Sequence, residues 1–482
     1  MANRYLITGG GSVVWDASDT AIWSDTSGGT TGQSVPVDGD AVIMDGSSGG
    51  GTVTLGYSPT VTSITMGDFT GTFAASTFSP VMNTFSASGA GVRTLSMGSG
   101  TWTLRGNNTT IWTTATTTNL TMDFGTSTIN CTYSGSTGTR TLTTGASAAL
   151  GVNHVTISAG SDTVALTTTF FCADLDFTGF SGIWGNTSAT VSGNYKLSPT
   201  MTVTSGSTLT MTAASGTKTM TTGGVQMNKN VTINAATGAT VQLLDSLNMA
   251  GASARTLTHT QGTFDWNNFN ITCGVFNTSN ANVRSLLMGN GRLTLTFTGT
   301  VWTAATTTNL TITPGNSTIA LTDASATNKT FSGGGMTYGN LYLTGAGTGV
   351  FIIIGSNTFN NLTMDTPPHT LQFTAGTTTT VSSWNVQGSG AGNMTITSVT
   401  AATHTITKAN PGVITSGYLS LTNSIAAGTG ATWYAGATPP SVDNGGNTGW
   451  VFTANPVLPG NGGGGNGKSF GRLASLGSLA RL

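Results

Sequence analysis

Two carboxylates raise the question of chemistry first. Asp174 and Asp176 stand two residues apart in FFCADLDFTGF, and on a strand the side chains at i and i+2 share one face at about 7 Å. Polysaccharide cleavage generally needs two carboxyl groups at a set separation, one of them protonated. The neighbouring Phe170, Phe171, Phe177 and Phe180 would favour a protonated form by withdrawing solvent. The structural alternative is that Asp174 fills a polar slot that recurs along the chain, with Asp176 in an outward slot held elsewhere by Thr. That alternative is the better fit, because the polar slot repeats many times without a second carboxylate.

Other reactive groups are equally sparse. All sixteen acidic residues are Asp, and Glu is absent. Asp16, Asp19, Asp25, Asp38, Asp40 and Asp45 crowd the first fifty residues beside Trp15 and Trp23. Oxygen ligands of this kind suit calcium, yet SDTSGG, DGD and MDGSSGGG read as Asp–Gly and Ser–Gly turns. His154, His259, His369 and His404 form no HxH or HxxxH spacing, and Cys131, Cys172 and Cys273 lie in no metal spacing, which points to buried thiols. There is no GxSxG elbow and no phosphate-binding Gly loop. The sequence therefore specifies no catalytic residue, no metal site and no cofactor.

The elements that would hold these groups are strands. The chain has 482 residues, a formal net charge of −1 and 6% charged residues, about a quarter of the usual share. Thr numbers about a hundred beside 69 Gly. Thr is β-branched and suits strands, while the straight-chain residues that clothe surface helices are scarce. Fifteen scattered Lys and Arg argue against a nucleic-acid partner, which needs clustered cations. No apolar run reaches the roughly 18 residues of a membrane span. The start, MANRYLITGGG, lacks the apolar core of a signal peptide. Either the protein stays in the cytoplasm or it leaves by a route without a leader, and assembly into a particle released by lysis would satisfy both.

Internal repetition fixes the architecture. VWTAATTTNLTITPGNSTI from Val301 echoes IWTTATTTNLTMDFGTSTI from Ile111, and VRSLLMGNG from Val283 echoes VRTLSMGSG from Val92. Between residues 51 and 430 apolar–x–apolar triplets such as Leu95/Met97, Val155/Ile157 and Leu362/Met364 alternate with Gly, Ser, Asn and Thr. Period-two alternation over short runs is the strand signature. A polar residue repeatedly enters these strands, at Asn119, Asn230, Asn270, Asn309, Asn340, Asn361 and Asn393, with His154 and Asp174 in the same slot. Stacked coils would turn these Asn residues into a ladder. A cation–hydroxyl–apolar step recurs at Arg93, Arg140, Lys218, Arg255, Arg284 and Lys329. Unequal spacing favours a parallel β-helix with variable loops over tandem β-sandwich modules. Fifteen to twenty coils at ~4.8 Å would give a rod of roughly 70–100 Å.

This reading divides the chain into an N-terminal cap or attachment segment (1–50), solenoid repeats (51–430), a C-terminal cap (431–453), a Gly-rich linker (454–467) and an amphipathic anchoring tail (468–482). In the tail Phe470, Leu473, Leu476, Leu479 and Leu482 recur every third residue, a pattern that suits docking into a partner's groove. Outward Thr pairs such as Thr101/Thr103 and Thr294/Thr296 suggest an ice-ordering array, but unequal coils would break its register. Trp112 and Trp302, equivalent in the two copies, are expected in the core rather than stacked on sugars.

The N-terminal MANRYLITGGGSVVWDASDTAIWSDTSGG, the RTLSMGSGTWTL and KTFSGGGMTYGNLYLTGAGTG repeats and the closing NGGNTGWVF resemble the Thr/Gly-rich repeat virion structural proteins, tail-fibre-like, of tailed bacteriophages. That resemblance implies a β-helical component located in the virion, partnered by other virion proteins and by its own copies, as a trimer in many phage fibres, with a host surface glycan as a further contact. It carries over no active-site residue. The chain departs from a fibre in ending on a tether and a short apolar peptide, which favours attachment to another virion protein over a host-binding tip. The expected function is thus a non-enzymatic, exposed rod. The alternatives are a polysaccharide-depolymerising spike using Asp174 and Asp176, and a bacterial surface adhesin.

Overall fold

A computed structural model describes residues 2–145, 147–167, 170–251, 254–345, 347–436 and 440–455. The tail residues Phe470, Leu473, Leu476, Leu479 and Leu482, and nearly all of the Gly-rich linker, lie outside the described residues. Within them the chain is a β-solenoid of about 18 turns. At ~4.8 Å per turn the stack is about 85 Å long. Tandem sandwiches are excluded: strand pairs are parallel throughout, apart from the antiparallel pair of Asn3–Leu6 with Trp23–Ser24. The one helical element described is a single 3-10 turn, Ala148–Leu150.

The first repeat shows how the sequence makes a coil. Strands Arg93–Ser96, Thr101–Leu104 and Thr109–Thr113 form three faces, and the next coil lays Leu120–Asp123, Thr128–Cys131 and Thr139–Thr143 on them in register. In a triplet such as Trp102–Thr103–Leu104 the outer residues face in and the middle Thr faces out: Trp102 and Leu104 are buried while Thr101 and Thr103 are only half-buried. Corners are Gly-rich because coils stack backbone on backbone there. Gly125 and Gly315, at φ +52° and +54°, sit over the carbonyls of Gly98 and Gly289 with no room for a Cβ. Coil length varies while strand register holds: partners step from Leu95 to Met122, but from Val155 to Leu175 and from Leu341 to Leu362. Length differences are absorbed in corners.

The two repeat copies use one local device. Register slips between Thr110 and Trp112 and again between Thr300 and Trp302. The resulting bulge turns two consecutive side chains inward, so Ile111 with Trp112, and Val301 with Trp302, are all fully buried. Trp302 then stacks between Phe276 and Phe331, with centroids at 4.7 and 5.5 Å, one aromatic per coil in register. Pairing runs unbroken from Thr101–Leu104 through Thr128–Cys131, Val152–Ile157, Phe170–Asp176, Tyr195–Lys196, Thr217–Thr221, Thr240–Leu243 and Thr256–Asp265 to Arg284–Leu287. Arg284–Leu287 is the counterpart of Arg93–Ser96, not of Thr101–Leu104, so the second copy is turned by one face about the axis.

The ends continue the coil. Asn3–Leu6 and Val13–Trp15 pair in parallel with Ala41–Met44 and Gly50–Leu55, so the first residues already belong to the stack. Between them, Trp15, Trp23 and Tyr57 pack edge to face over the open core. At the other end Ala431–Tyr434 and Trp450–Val451 add two further strands, and Trp384, Trp433 and Trp450 close the core.

Candidate functional site

Four outward side chains with chemical potential meet on one face. His154 is in register with Asp174, Thr156 with Asp176, and Asp176 with Lys196. Coils here are short, stepping from Val155 to Leu175 to Tyr195, so tight corners leave the face open. Val155, Leu175 and Tyr195 point into the core with no exposure, which forces their neighbours outward. With Asn194, Thr219, Thr221 and Leu244 these groups line a groove of about 350 Å3. Leu244 is 44% exposed at its edge.

Most of the hydrogen-bonding capacity is internally used. His154 Nδ1 lies 2.8 Å from Asp174 Oδ2, and the other carboxylate oxygen of Asp174 accepts the Asn194 backbone N–H. Asn194 Oδ1 in turn accepts the Thr219 N–H and hydroxyl, both at 3.0 Å. Asp176 Oδ1 accepts the Thr178 N–H at 2.7 Å and the Thr178 hydroxyl at 2.6 Å, closing the turn after the strand. As i and i+2 of Phe170–Asp176 the two carboxylates share one face, where a spacing of ~7 Å is expected, a value inside the range of inverting glycosidases. However, Asp174 is engaged through both oxygens and Asp176 holds a turn.

The remaining sequence candidates have separate places. Among the described residues no three of His, Cys and Asp converge as metal ligands. Asp16, Asp19 and Asp45 accept backbone N–H groups two residues on, Asp38 binds Arg105 through both oxygens, and Asp40 accepts the Ala2 and Val37 N–H groups. Cys131, Cys172 and Cys273 are buried free thiols; burial pushes Cys131 up to about 12 and raises the other two. His259 bonds the Gly262 carbonyl at 3.0 Å, and His404 meets Ser398 Oγ at 2.8 Å while stacking on Phe373. Burial pushes both imidazoles down to about 4.

The Asn residues do not form one ladder. Asn340 and Asn361 are in register, and Asn361 Nδ2 donates to Asn340 Oδ1 at 2.6 Å. Asn230 and Asn270 instead accept the backbone N–H groups of Thr256 and Arg292 on the next coil. Asn119 and Asn309, both at φ +56°, turn corners and donate to the carbonyls of Ala90 and Ala281. Asn393 precedes Met394–Ser398 beside Pro368 and His369 in a small surface hollow. Coils of different length bring the same sequence slot to different places in the cross-section.

Sequence reasoning missed what the repeated cations do. Arg93 is buried and donates to the carbonyls of Ala87, Gly91, Thr116 and Thr118 at 2.6–3.0 Å. Arg284 repeats this with Thr278, Asn282, Thr306 and Thr308. Arg140 pairs with buried Asp162 at 2.7 Å, and Lys329 with Asp323 at 3.2 Å. Lys229 donates to the Gly185 and Thr187 carbonyls and lies 4.4 Å from the Trp184 ring centroid. The available signal was co-repetition: each VR step is followed some 25 residues later by the same TTTN loop. No family model, curated protein or solved structure matches the chain.

Proposed function

We propose that this protein is a non-enzymatic structural component of a bacteriophage particle, a β-solenoid rod exposed on the virion and anchored to another virion protein. The observation that carries this reading is where the charge goes. In a chain with fifteen Lys and Arg, Arg93, Arg140, Lys229, Arg284 and Lys329 are buried and hold corner loops. Cationic chemistry is invested in rigidity. The parallel stack and Thr-faced exterior support the same reading, and the resemblance to Thr/Gly-rich phage proteins supplies the particle. Copies of the chain, as a trimer, and a surface glycan of the host complete the proposed set of partners.

A second reading has one observation in its favour: the His154–Asp174–Asp176 groove places two carboxylates on an open face. Two measurements separate them. Antibody raised against the purified chain should label intact phage particles by electron microscopy, and the protein should release no oligosaccharide from host capsule. Unlabelled particles sink the structural reading. Sustained release, abolished by Asp174→Asn or Asp176→Asn, would establish the enzymatic one.

A further inference from the structure

The Thr-x-Thr pairs acquire a meaning once the coils are assembled. Ala189–Val191, Thr208–Met211, Asn230–Asn234 and the first half of Thr256–Asp265 lie side by side on one face. Thr190 stands opposite Thr210, Thr210 opposite Thr232, and Thr232 opposite Thr258. A second column, two residues earlier on each strand, holds Ser188, Thr208, Asn230 and Thr256. The sequence alone predicts that unequal coils scramble such rows. Instead the buried Leu209, Val231 and Leu257 fix each strand against the core, a slip of one residue would turn them outward, and the corners take up the differences in length.

The hydroxyls of these strands are open rather than structural. Thr190, Thr208, Thr210, Thr232, Thr256 and Thr258 are half-buried, and among the described residues none of their hydroxyls bonds another protein group or is sealed from solvent. Corner hydroxyls beside them behave differently. Thr204 donates to the Trp184 carbonyl at 3.2 Å, Ser207 to the Thr187 carbonyl at 2.6 Å and Thr212 to the Val191 carbonyl at 3.5 Å. Ser188 Oγ and Asn230 Oδ1 tie the rows together, accepting the N–H groups of Thr208 at 3.3 Å and Thr256 at 3.0 Å. The eight positions carry no charge and no aromatic ring.

Spacing defines what such a face can hold. The two columns are ~7 Å apart along a strand and successive strands ~4.8 Å apart, so six hydroxyls, each a donor and an acceptor, stand on a fixed two-dimensional grid. Thr is stiff at χ1, so little side-chain freedom is lost when its hydroxyl and γ-methyl are held in place. A protein partner would find neither a large anchoring side chain nor a charge on the grid, and a single small molecule would touch only one or two rows. A repeating lattice of hydrogen-bonding molecules engages all the rows together. We propose that this face binds the surface of ice, with Thr190, Thr210, Thr232 and Thr258 as the main column and Thr208 and Thr256 beside it. The assignment rests on the register of these strands and does not depend on the particle reading.

The test is ice-affinity partitioning of the full-length protein, with ice grown slowly on a cold finger and serum albumin in the same solution as the excluded control. The protein should be enriched in the ice while albumin stays in the liquid. Thr210→Lys with Thr232→Lys should lower that enrichment about tenfold, since a flexible, hydrated ammonium replaces a fixed hydroxyl at the centre of the grid. Thr232→Lys alone should lower it less, and Thr272→Lys with Thr294→Lys, paired on another face, should leave it unchanged. All four positions are half-buried and point away from the core, and far-UV circular dichroism verifies each fold. The proposal is overturned if the parent is excluded from ice like albumin, if the Thr210 and Thr232 double variant partitions like the parent, or if the Thr272 and Thr294 double variant loses as much.

Discussion

At the residue scale, burial of ionisable groups predicts how stability responds to pH. His259 and His404 are buried, and desolvation is the leading cause that brings each down from 6.5 to about 4. Between those values the unfolded chain takes up a proton that the folded chain refuses. Stability is therefore full above pH 6.5, falls as pH drops toward 4, and loses nothing more from these groups below that. The slope is at most ~1.4 kcal/mol per pH unit for each imidazole. His404→Phe keeps the stack on Phe373, removes the titration and leaves only Ser398 without its partner. Hydrogen exchange of Met394–Ser398 and His404–Lys408, corrected for intrinsic rates, should show the parent opening more easily at pH 4.5 than at pH 7. The variant should lose most of that difference; an unchanged pH response would mean that His404 is not the sensitive group.

At the element scale, the unit of construction is a strand plus the corner that its neighbour's cation holds. Arg284 satisfies carbonyls from two successive corners, 278–282 and 306–308. Arg284→Ala would leave them without a donor, at a cost of about 3–5 kcal/mol locally. Arg284→Lys should recover only part, because an ammonium has fewer donors and no planar fork. Lys218, which carries the same sequence step but is not buried, should cost about 0.5 kcal/mol or less when changed to Ala. Proteolysis within 304–309 reads the difference, and equal sensitivity in both alanine variants would refute the caging role. Strands were the legible part of the sequence, since apolar alternation at Leu95/Met97 or Leu362/Met364 depends only on local period. The Asn ladder was not legible, because Asn119 at φ +56° and Asn340 in mid-strand share a sequence context but not a backbone conformation. Nor could the meeting of His154, Asp174, Asp176 and Lys196 be read in full: Asp174 and Asp176 stand two residues apart on one strand, but Lys196 joins them only because two coils there are short.

For the whole molecule, strand pairing runs between neighbouring coils, so stability is largely a sum of coil and interface terms, with a few side chains such as Lys229 reaching one coil further. Variable corners on fixed strands imply that entire coils are interchangeable parts, whereas fractions of a coil are not. The second repeat copy, turned by one face, illustrates the tolerance: the same strand–corner unit folds on whichever face the preceding coil lengths deliver it to. Removing residues 342–362 joins Leu341 to Thr363, and since Leu341 is the register partner of Leu362 the inward–outward alternation continues across the junction. The neighbours Ile319 and Trp384 would then face the merged strand directly. This chain should fold, keep its far-UV spectrum and shorten by ~5 Å in small-angle scattering. Removing 342–352 instead joins Leu341 to Ile353, which brings a strand of one face onto another and displaces every later coil by part of a turn. That variant should unfold at lower temperature or aggregate through its exposed strand edges. If both deletions behave alike, the coil is not the unit in which this rod is built.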